Sequence, residues 1–276
     1  MTLSLPDDFP RDVRVVATDF DRTLVWEDGR LHERTIGALE RAREAGVHVV
    51  VVTGRMVQSL RRALDPVVLH DPAICYQGAV VTDGDWNWLR HEPIPLALAR
   101  EAITAVGEEG YEPNVYVDDE LYVASETEAA RNYAGFQHIE FHVVGDLLAW
   151  LPAEPTKLVC VGDPTALDGL EVRLKERFRG RLYISKSLPY FLELAAPDVT
   201  KGAGLDFLAR RMGFTPAQTI AFGDGENDVE LVDWAGYGIA VENAHPRVRA
   251  VASWVCPAAA DEGVAQVLEA LLDSKR

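Results

Sequence analysis

Arg14-Val-Val-Ala-Thr-Asp-Phe-Asp-Arg-Thr-Leu24 is the stretch that decides the fold, because a short apolar run leads directly into two aspartates. A short apolar run bounded by polar residues is typical of a buried parallel strand. Ligands of open α/β sheets bind beyond the carboxyl ends of the strands, where Asp19 and Asp21 are expected. Positions i and i+2 of a strand point the same way, so the two carboxylates are predicted to face one spot. Such a pair indicates a metal, a nucleophile or an acid/base partner, unless it is only an acidic, solvated turn.

Three further segments carry polar residues at the ends of apolar strands or the start of a helix. The run Val47-His-Val-Val-Val-Val-Thr-Gly-Arg55 ends on Thr53, and a later strand ends on Gly223-Asp-Gly-Glu-Asn-Asp228. Lys201 lies between them, near the start of a predicted helix. A phosphoryl group needs a nucleophile, a cation on its oxygens, neutral donors and a proton source. The four segments together offer all of these.

In this order the four segments resemble the motifs of the haloacid dehalogenase superfamily. The closest resemblance is to the Cof-type phosphatases, whose C2-type cap is inserted late in the fold. Gly238-Ile-Ala-Val-Glu-Asn-Ala244 and Asp261-Glu-Gly-Val-Ala265 are also Cof-like. The resemblance covers nearly the whole chain and is weakest in the middle. It implies a doubly wound, parallel-sheet (Rossmann-like) α/β core with an inserted α+β cap domain.

The resemblance also implies a role for each motif residue. Asp19 is the expected nucleophile, which forms an aspartyl-phosphate. Asp21 is the expected general acid/base, and its backbone carbonyl is expected to face the metal. The cation is expected to be Mg²⁺, because the ligands are oxygens. Its predicted ligands are Asp19, Asp21, Asp224 and Asp228.

The remaining motif residues are expected to hold the phosphoryl group. Thr53 would donate its hydroxyl and Gly54 its amide, and Lys201 would offset the charge of Asp19 and the phosphate. Asn227 is expected to bind phosphate, hold metal-bound water or orient its loop. Arg55 would either bind phosphate or pair with an acid of the core.

Two residues depart from the family pattern. Arg22 stands where these phosphatases most often carry glycine in Asp-x-Asp-Gly-Thr, and it would reach the substrate or the cap or lie along the surface. Gln77 precedes Gly78-Ala79 where asparagine is usual. The position of Arg22 varies across the superfamily, so its change does not exclude activity, and the change at Gln77 affects the expected specificity rather than the chemistry.

The composition limits the partners. A formal net charge of −17 disfavours nucleic acid, because no basic patch meets the phosphate backbone. An acidic chain still accepts anionic substrates where a bound cation inverts the local charge. The sequence lacks a signal-peptide pattern and a long apolar run, so we expect no membrane partner and a cytoplasmic protein. A monomer and a homodimer are both compatible with it.

The spacing of the motifs predicts two domains. Thr53 and Lys201 are much further apart than one βα unit requires, and the intervening elements suggest antiparallel pairs. We therefore predict a core at 1–82 and 187–276 and a cap at 83–186. One continuous strand is predicted over Pro72–Val81.

The predicted function is an Mg²⁺-dependent phosphatase that hydrolyses small phosphorylated metabolites, with sugar phosphates as one class. A phosphomutase of the same superfamily is an alternative. A second alternative is a phospho-aspartate switch without turnover, since response-regulator receivers also combine acids, Mg²⁺, a Thr and a Lys. In receivers the metal acids come first and the phosphoacceptor stands alone on a later strand, whereas here the paired acids lead.

Overall fold

A computed structural model describes residues 3–65, 67 and 70–274 of the chain. The chain folds into two compact units. The core unit comprises Met1–Gly54, Leu60–Leu89 and Thr200–Arg276, and the inserted unit comprises Arg55–Ser59 and Arg90–Val199. Of the helices in the described part of the chain, none combines the length and the apolar character needed to cross a membrane.

The strands alternate with helices along most of the chain. The strands are β1 (Val15–Asp19), β2 (His48–Val52), β3 (Ala73–Cys75), β4 (Val80–Thr82), β5 (Trp88–His91), β6 (Asn114–Val117), β7 (Glu120–Val123), β8 (Phe141–Val143), β9 (Lys157–Val161), β10 (Tyr183–Leu188), β11 (Phe191–Ala195), β12 (Thr219–Gly223), β13 (Tyr237–Val241) and β14 (Trp254–Cys256). The α-helices are α1 (Glu33–Glu44), α2 (Val57–Ala63), α3 (Leu96–Glu108), α4 (Glu128–Gln137), α5 (Leu147–Trp150), α6 (Pro164–Arg177), α7 (Lys201–Met212), α8 (Val229–Trp234), α9 (Pro246–Val251) and α10 (Gly263–Ser274).

The larger sheet has the strand order β14-β13-β12-β1-β2-β3-β4-β5. The strands from β14 to β3 pair in parallel, as expected when helices connect successive strands. Its central strands are buried on both faces, so they consist of continuous apolar runs rather than alternating patterns. This sheet, together with the second α+β unit, confirms the predicted fold class.

The predicted single strand over Pro72–Val81 is wrong. The structure has β3, a 3₁₀ turn over Tyr76–Gly78, and β4, which returns antiparallel to β3. Tyr76, Gln77 and Gly78 all have positive φ angles, of 52°, 60° and 106°. Consecutive residues in the left-handed region reverse the chain, so an extended strand cannot continue through them.

The inserted unit is built on a second, mixed sheet with the order β10-β11-β9-β6-β7-β8. The strand β11 pairs antiparallel with both β10 and β9, so it belongs to this sheet. The unit therefore extends over residues 90–199, beyond the predicted end of the cap at 186. Its own apolar core is formed by side chains of α3, α6 and the strands, including Ala102, Leu170 and Leu192.

Candidate active site

The position of Asp19 follows from the pairing of β1. This strand pairs in parallel with β2 on one side and β12 on the other, with Asp19 opposite Val52 and Thr18 opposite Phe222. The carboxyl ends of three adjacent parallel strands therefore meet at one edge. The residues that follow them, at 53 and 224, start from that edge beside Asp19.

Helix α7 brings Lys201 to the same edge. Thr200 is the N-cap of the helix, and its side chain accepts a hydrogen bond from the Ala203 amide at 3.0 Å, which fixes the first turn. Close backbone packing holds this turn in place. A Cβ on Gly78 would lie 2.1 Å from the Thr200 carbonyl oxygen, and one on Gly202 would lie 2.4 Å from that of Glu230.

The ammonium of Lys201 bridges two carboxylates. Its Nζ lies 2.5 Å from Asp19 Oδ1 and 2.5 Å from Asp228 Oδ1. Only 1% of the Lys201 side chain is exposed. Hydrogen bonds between charged partners are strong, and burial weakens their screening by solvent. Lys201 therefore fixes Asp19 and Asp228 relative to each other.

The other oxygen of Asp228 organises its own loop. Asp228 Oδ2 accepts hydrogen bonds from the amides of Asp224 at 2.9 Å and Gly225 at 2.8 Å. With Lys201 on Oδ1, most of the acceptor capacity of this carboxylate is already used. The geometry favours a positioning role for Asp228, which holds Asp224 in place, over direct metal ligation.

The carboxylate of Asp224 accepts fewer hydrogen bonds from the protein than that of Asp228. Thr23 Oγ1 donates to Asp224 Oδ1 at 3.2 Å, and the Arg22 Nε lies 3.9 Å from Asp224 Oδ2. The backbone of Asp224 is held by the amide of His245, which donates to its carbonyl oxygen at 2.8 Å. Oδ2 therefore has a charged neighbour but no short hydrogen bond to it.

The buried acids perturb one another. Burial raises the pKa of Asp19 well above its usual value, and Asp228 and Asp224 add to this rise, against the lowering effect of Lys201. Burial and Asp228 raise the pKa of Asp224 to about 7, although Lys201, Arg22 and Thr23 lower it. For Lys201, burial lowers the pKa, but the carboxylates of Asp19 and Asp228 outweigh it and raise it overall. The cluster is short of positive charge.

Asp19, Asp224 and Asp228 form a cluster that fits a metal ion. Each offers a carboxylate oxygen, and these three oxygens lie within 4.8 Å of one another. When all three acids are ionised, three carboxylates and one ammonium leave an excess of two negative charges. Oxygen ligands and this excess suit a hard divalent cation.

Asp21 lies outside this cluster. Strand β1 ends at Asp19, and Asp21 follows in a turn in which the Leu24 and Val25 amides both donate to the Phe20 carbonyl. The strand alternation that predicted a shared direction for Asp19 and Asp21 therefore does not apply, and the Asp21 carboxylate is not among the three grouped acids. Its predicted acid/base role and its backbone contact with a metal stay predictions.

Thr53 and Asn227 are buried in the core unit near the motif turns. The Thr53 amide donates to the Ile74 carbonyl at 2.8 Å, and its own carbonyl accepts from the Gln77 amide at 3.0 Å. Asn227 Nδ2 donates to Gln77 Oε1 at 2.9 Å. Gln77 thus links the second and fourth motifs. The roles of Thr53, Gly54 and Asn227 toward phosphate stay predictions.

Arg55 belongs to the inserted unit, where its guanidinium carbon lies 5.9 Å from the centre of the Phe136 ring. In the same unit Phe136 and Tyr190 pack against Phe191, with ring centres 5.6 and 4.6 Å from it. These rings and Tyr133 line a pocket of about 400 Å³. A predicted pairing of Arg55 with phosphate or a core acid stays a prediction.

Sequence reasoning missed the contribution of Asn243. Its Nδ2 donates to the Arg22 carbonyl at 2.8 Å, and its Oδ1 accepts from the Ala259 amide at 3.0 Å. It therefore ties the first motif to a distant turn. The only signal for it was its place in the Cof-like segment Gly238–Ala244, which gives no role to any one residue.

Comparison with known proteins identifies the class. The family of haloacid dehalogenase-like hydrolases matches residues 16–268, so the chain belongs to this family. The HMP-PP phosphatase of Escherichia coli O157:H7 is 28% identical, over 86% of this chain and 87% of that protein. The crystal structure of TM0651 from Thermotoga maritima is 30% identical, with a TM-score of 0.80, over 93% of this chain and 97% of that one.

A third relative supports the fold alone. A haloacid dehalogenase-like hydrolase from Bacteroides thetaiotaomicron has a TM-score of 0.83 at 23% identity, and the match covers 93% of this chain and 98% of that chain. Together these findings confirm the predicted family and the prediction of a hydrolase of the phosphatase class.

Proposed function

We propose that the protein hydrolyses small phosphorylated metabolites through an aspartyl-phosphate on Asp19, with Mg²⁺ as cofactor. The observation that carries this proposal is the buried contact of Lys201 with Asp19 and Asp228 inside a cluster of three acids, which has two excess negative charges when all three are ionised. Such an arrangement costs free energy in an isolated fold, so it indicates a site completed by a cation.

In the first step a carboxylate oxygen of Asp19 attacks phosphorus, and the bond from phosphorus to the leaving oxygen breaks. The leaving oxygen takes the proton of the Asp21 carboxyl. Asp19 must be ionised to attack, although burial and the neighbouring acids raise its pKa. Lys201, 2.5 Å away, favours the ionised form and would also offset charge on the transferring group.

In the second step Asp21, now ionised, takes a proton from water. The water oxygen attacks phosphorus, the bond from phosphorus to Asp19 breaks, and inorganic phosphate leaves. Asp21 has then regained its proton and Asp19 its charge, so both residues are ready for another turnover.

The cation would be held by Asp19 and Asp224, with Asp228 fixing the loop that carries Asp224. When bound, it would supply positive charge to the phosphoryl oxygens and to the carboxylates around them. Mg²⁺ is favoured over softer metals because the available ligands are carboxylate oxygens.

The proposal covers small phosphorylated metabolites as a class. A relative is named HMP-PP phosphatase. A substrate panel should therefore contain HMP-PP beside sugar phosphates.

The test measures phosphate release from this panel with wild-type protein and Asp19→Asn, each with Mg²⁺ and with chelator. We expect Mg²⁺-dependent release that falls at least about 10³-fold in the variant, because the nucleophile is lost. Phosphate release that persists in Asp19→Asn would contradict the proposal. A phosphorylated product isomer would point to a mutase, and a phospho-aspartate that persists for hours without turnover would point to a switch.

A further inference from the structure

Arg22 combines a strained backbone with an unusual side-chain environment. Its φ angle of 62° lies in the left-handed region, which costs a residue with a Cβ free energy. The surroundings hold this conformation, since Asn243 Nδ2 donates to the Arg22 carbonyl at 2.8 Å. A residue kept in such a conformation beside a functional cluster is a candidate for a functional role.

The guanidinium of Arg22 approaches the acid cluster without closing a hydrogen bond. Its Nε lies 3.9 Å from Asp224 Oδ2 and is shielded from solvent, and it has no hydrogen-bond acceptor within the described part of the chain. Its carbon Cζ lies 5.8 Å from the centre of the Trp26 ring, and 36% of the side chain is exposed. The interaction with Asp224 is therefore one of charge, and the Asp224 oxygen stays open to another partner.

The positive charge of Arg22 lies where it would repel a bound metal ion. Asp19, Asp224 and Asp228 with Lys201 carry an excess of two negative charges, and Arg22 reduces that excess to one. A divalent cation held by Asp224 would lie close to the Arg22 guanidinium, whose Nε is 3.9 Å from Asp224 Oδ2. Two positive charges that lie close together repel each other appreciably in a partly buried site.

We propose that Arg22 is a built-in cation that weakens divalent metal binding at Asp224 and so sets its affinity. This inference rests on the proposed metal site. Arg22 acts by its charge on a metal held at Asp224 and takes no part in bond making, so it is a positioning residue and not a catalytic one. Because its guanidinium is partly exposed, we expect the effect to be about tenfold in affinity and to shrink as salt rises.

The experiment titrates Mg²⁺ into metal-free protein by isothermal calorimetry, at low and at high ionic strength. The proteins are wild type, Arg22→Gln, Arg22→Lys, Arg22→Gly and Asp224→Asn. Arg22→Gln removes the charge and keeps the backbone penalty, Arg22→Lys keeps the charge, and Arg22→Gly removes both. We expect Arg22→Gln and Arg22→Gly to bind about tenfold more tightly at low salt, with Arg22→Lys within about threefold of wild type.

Thermal unfolding of the metal-free proteins separates the effect of backbone strain at residue 22 from the effect of its charge. We expect Arg22→Gly to unfold at a higher temperature than Arg22→Gln, because glycine adopts φ 62° without strain. Equal Mg²⁺ affinity in wild type and Arg22→Gln would overturn the inference. A gain in Mg²⁺ affinity confined to Arg22→Gly would also overturn it, because the gain would then come from the relief of backbone strain and not from the loss of charge. If wild type and Asp224→Asn both fail to bind Mg²⁺, the proposed metal site fails, and the inference with it.

Discussion

The two units each bury a lysine against carboxylates, and the two environments differ in charge. In the inserted unit Lys157 Nζ lies 3.2 Å from Glu193 Oε1 and 5.1 Å from the centre of the Tyr116 ring. In the core unit Lys201 faces Asp19 and Asp228, with Asp224 completing the cluster. Lys157 and Glu193 contribute one positive and one negative formal charge, whereas the three acids around Lys201, when all are ionised, exceed its single positive charge by two.

This difference distinguishes an ion pair of opposite charges from a candidate binding site. A pair of opposite charges compensates its own charge, and removing one partner is costly because the other charge stays buried. An unbalanced cluster is completed only when a cation or a proton arrives. The raised pKa values of Asp19 and Asp224, caused first by burial and then by Asp228, are what that imbalance predicts.

Replacing each lysine by methionine should have the largest effects, and it tests whether the two lysines differ in role. We expect Lys201→Met to lower kcat by at least about 10³-fold, because Asp19, the proposed nucleophile, loses its charged partner. Lys157→Met should keep kcat within about threefold and lower the free energy of unfolding by about 3–5 kcal/mol, because Glu193 loses the positive charge of Lys157 and stays buried. Steady-state kinetics and urea unfolding measure both. An equal loss of kcat in the two variants would show that the lysines are not different in kind.

The pH dependence of Mg²⁺ binding should test the charge of the cluster around Lys201. With the pKa of Asp224 raised to about 7, protons compete with the metal below that pH, so Mg²⁺ affinity should fall by up to about tenfold for each further pH unit. Calorimetric titration from pH 5.5 to 8 measures this. In Asp224→Asn the remaining affinity should lose most of this slope. A slope in wild type that is unchanged by the substitution would contradict the assignment to Asp224.

The metal-free protein should show the opposite trend in stability. Because the folded pKa of Asp224 lies above its unfolded value of 3.8, the folded state binds more protons between these two values. The contribution of Asp224 to the free energy of unfolding is therefore present at low pH and lost as pH rises through about 7. Urea unfolding in chelator, with Asp224→Asn as control, isolates this contribution.

Gln77→Asn should have the smallest effect. Gln77 accepts a hydrogen bond from Asn227 beside the cluster, but it carries no charge. Loss or lengthening of this bond should change KM by about threefold, with kcat nearly unchanged. Asparagine also tolerates the φ of 60° better than glutamine, so stability should not fall. A drop in kcat as large as that expected for Lys201→Met would show that proximity, not charge, decides the role of a neighbour.

Much of the fold could be predicted from local patterns. The central strands are continuous apolar runs, and polar motif residues follow them directly, so their common edge and the cluster of Asp19, Lys201 and Asp224 follow from strand order. The reversal at Tyr76–Gly78 could not be predicted, because two of its positive φ angles fall on tyrosine and glutamine, which rarely adopt them.

Other features of the structure depend on long-range pairing, which local patterns do not encode. The end of the inserted unit depends on β11 choosing β9 and β10 as partners, and nothing local in Phe191–Ala195 encodes that choice. The burial of Lys157 against Glu193 depends on the same pairing, which places Val159 opposite Glu193. Asp21 was assigned a direction from strand alternation, which ends with β1 at Asp19.

The distance along the chain between Asp19 and Lys201, 182 positions, has a consequence for protein synthesis. The whole inserted unit is translated between them, and it has its own core on which to fold. At about 5–20 residues per second, a ribosome needs about 10–40 s between Asp19 and Asp224. During most of that interval Asp19 lacks Lys201, Asp224 and Asp228, the charged residues of the cluster. The cluster therefore forms only late in translation, after the inserted unit has been made.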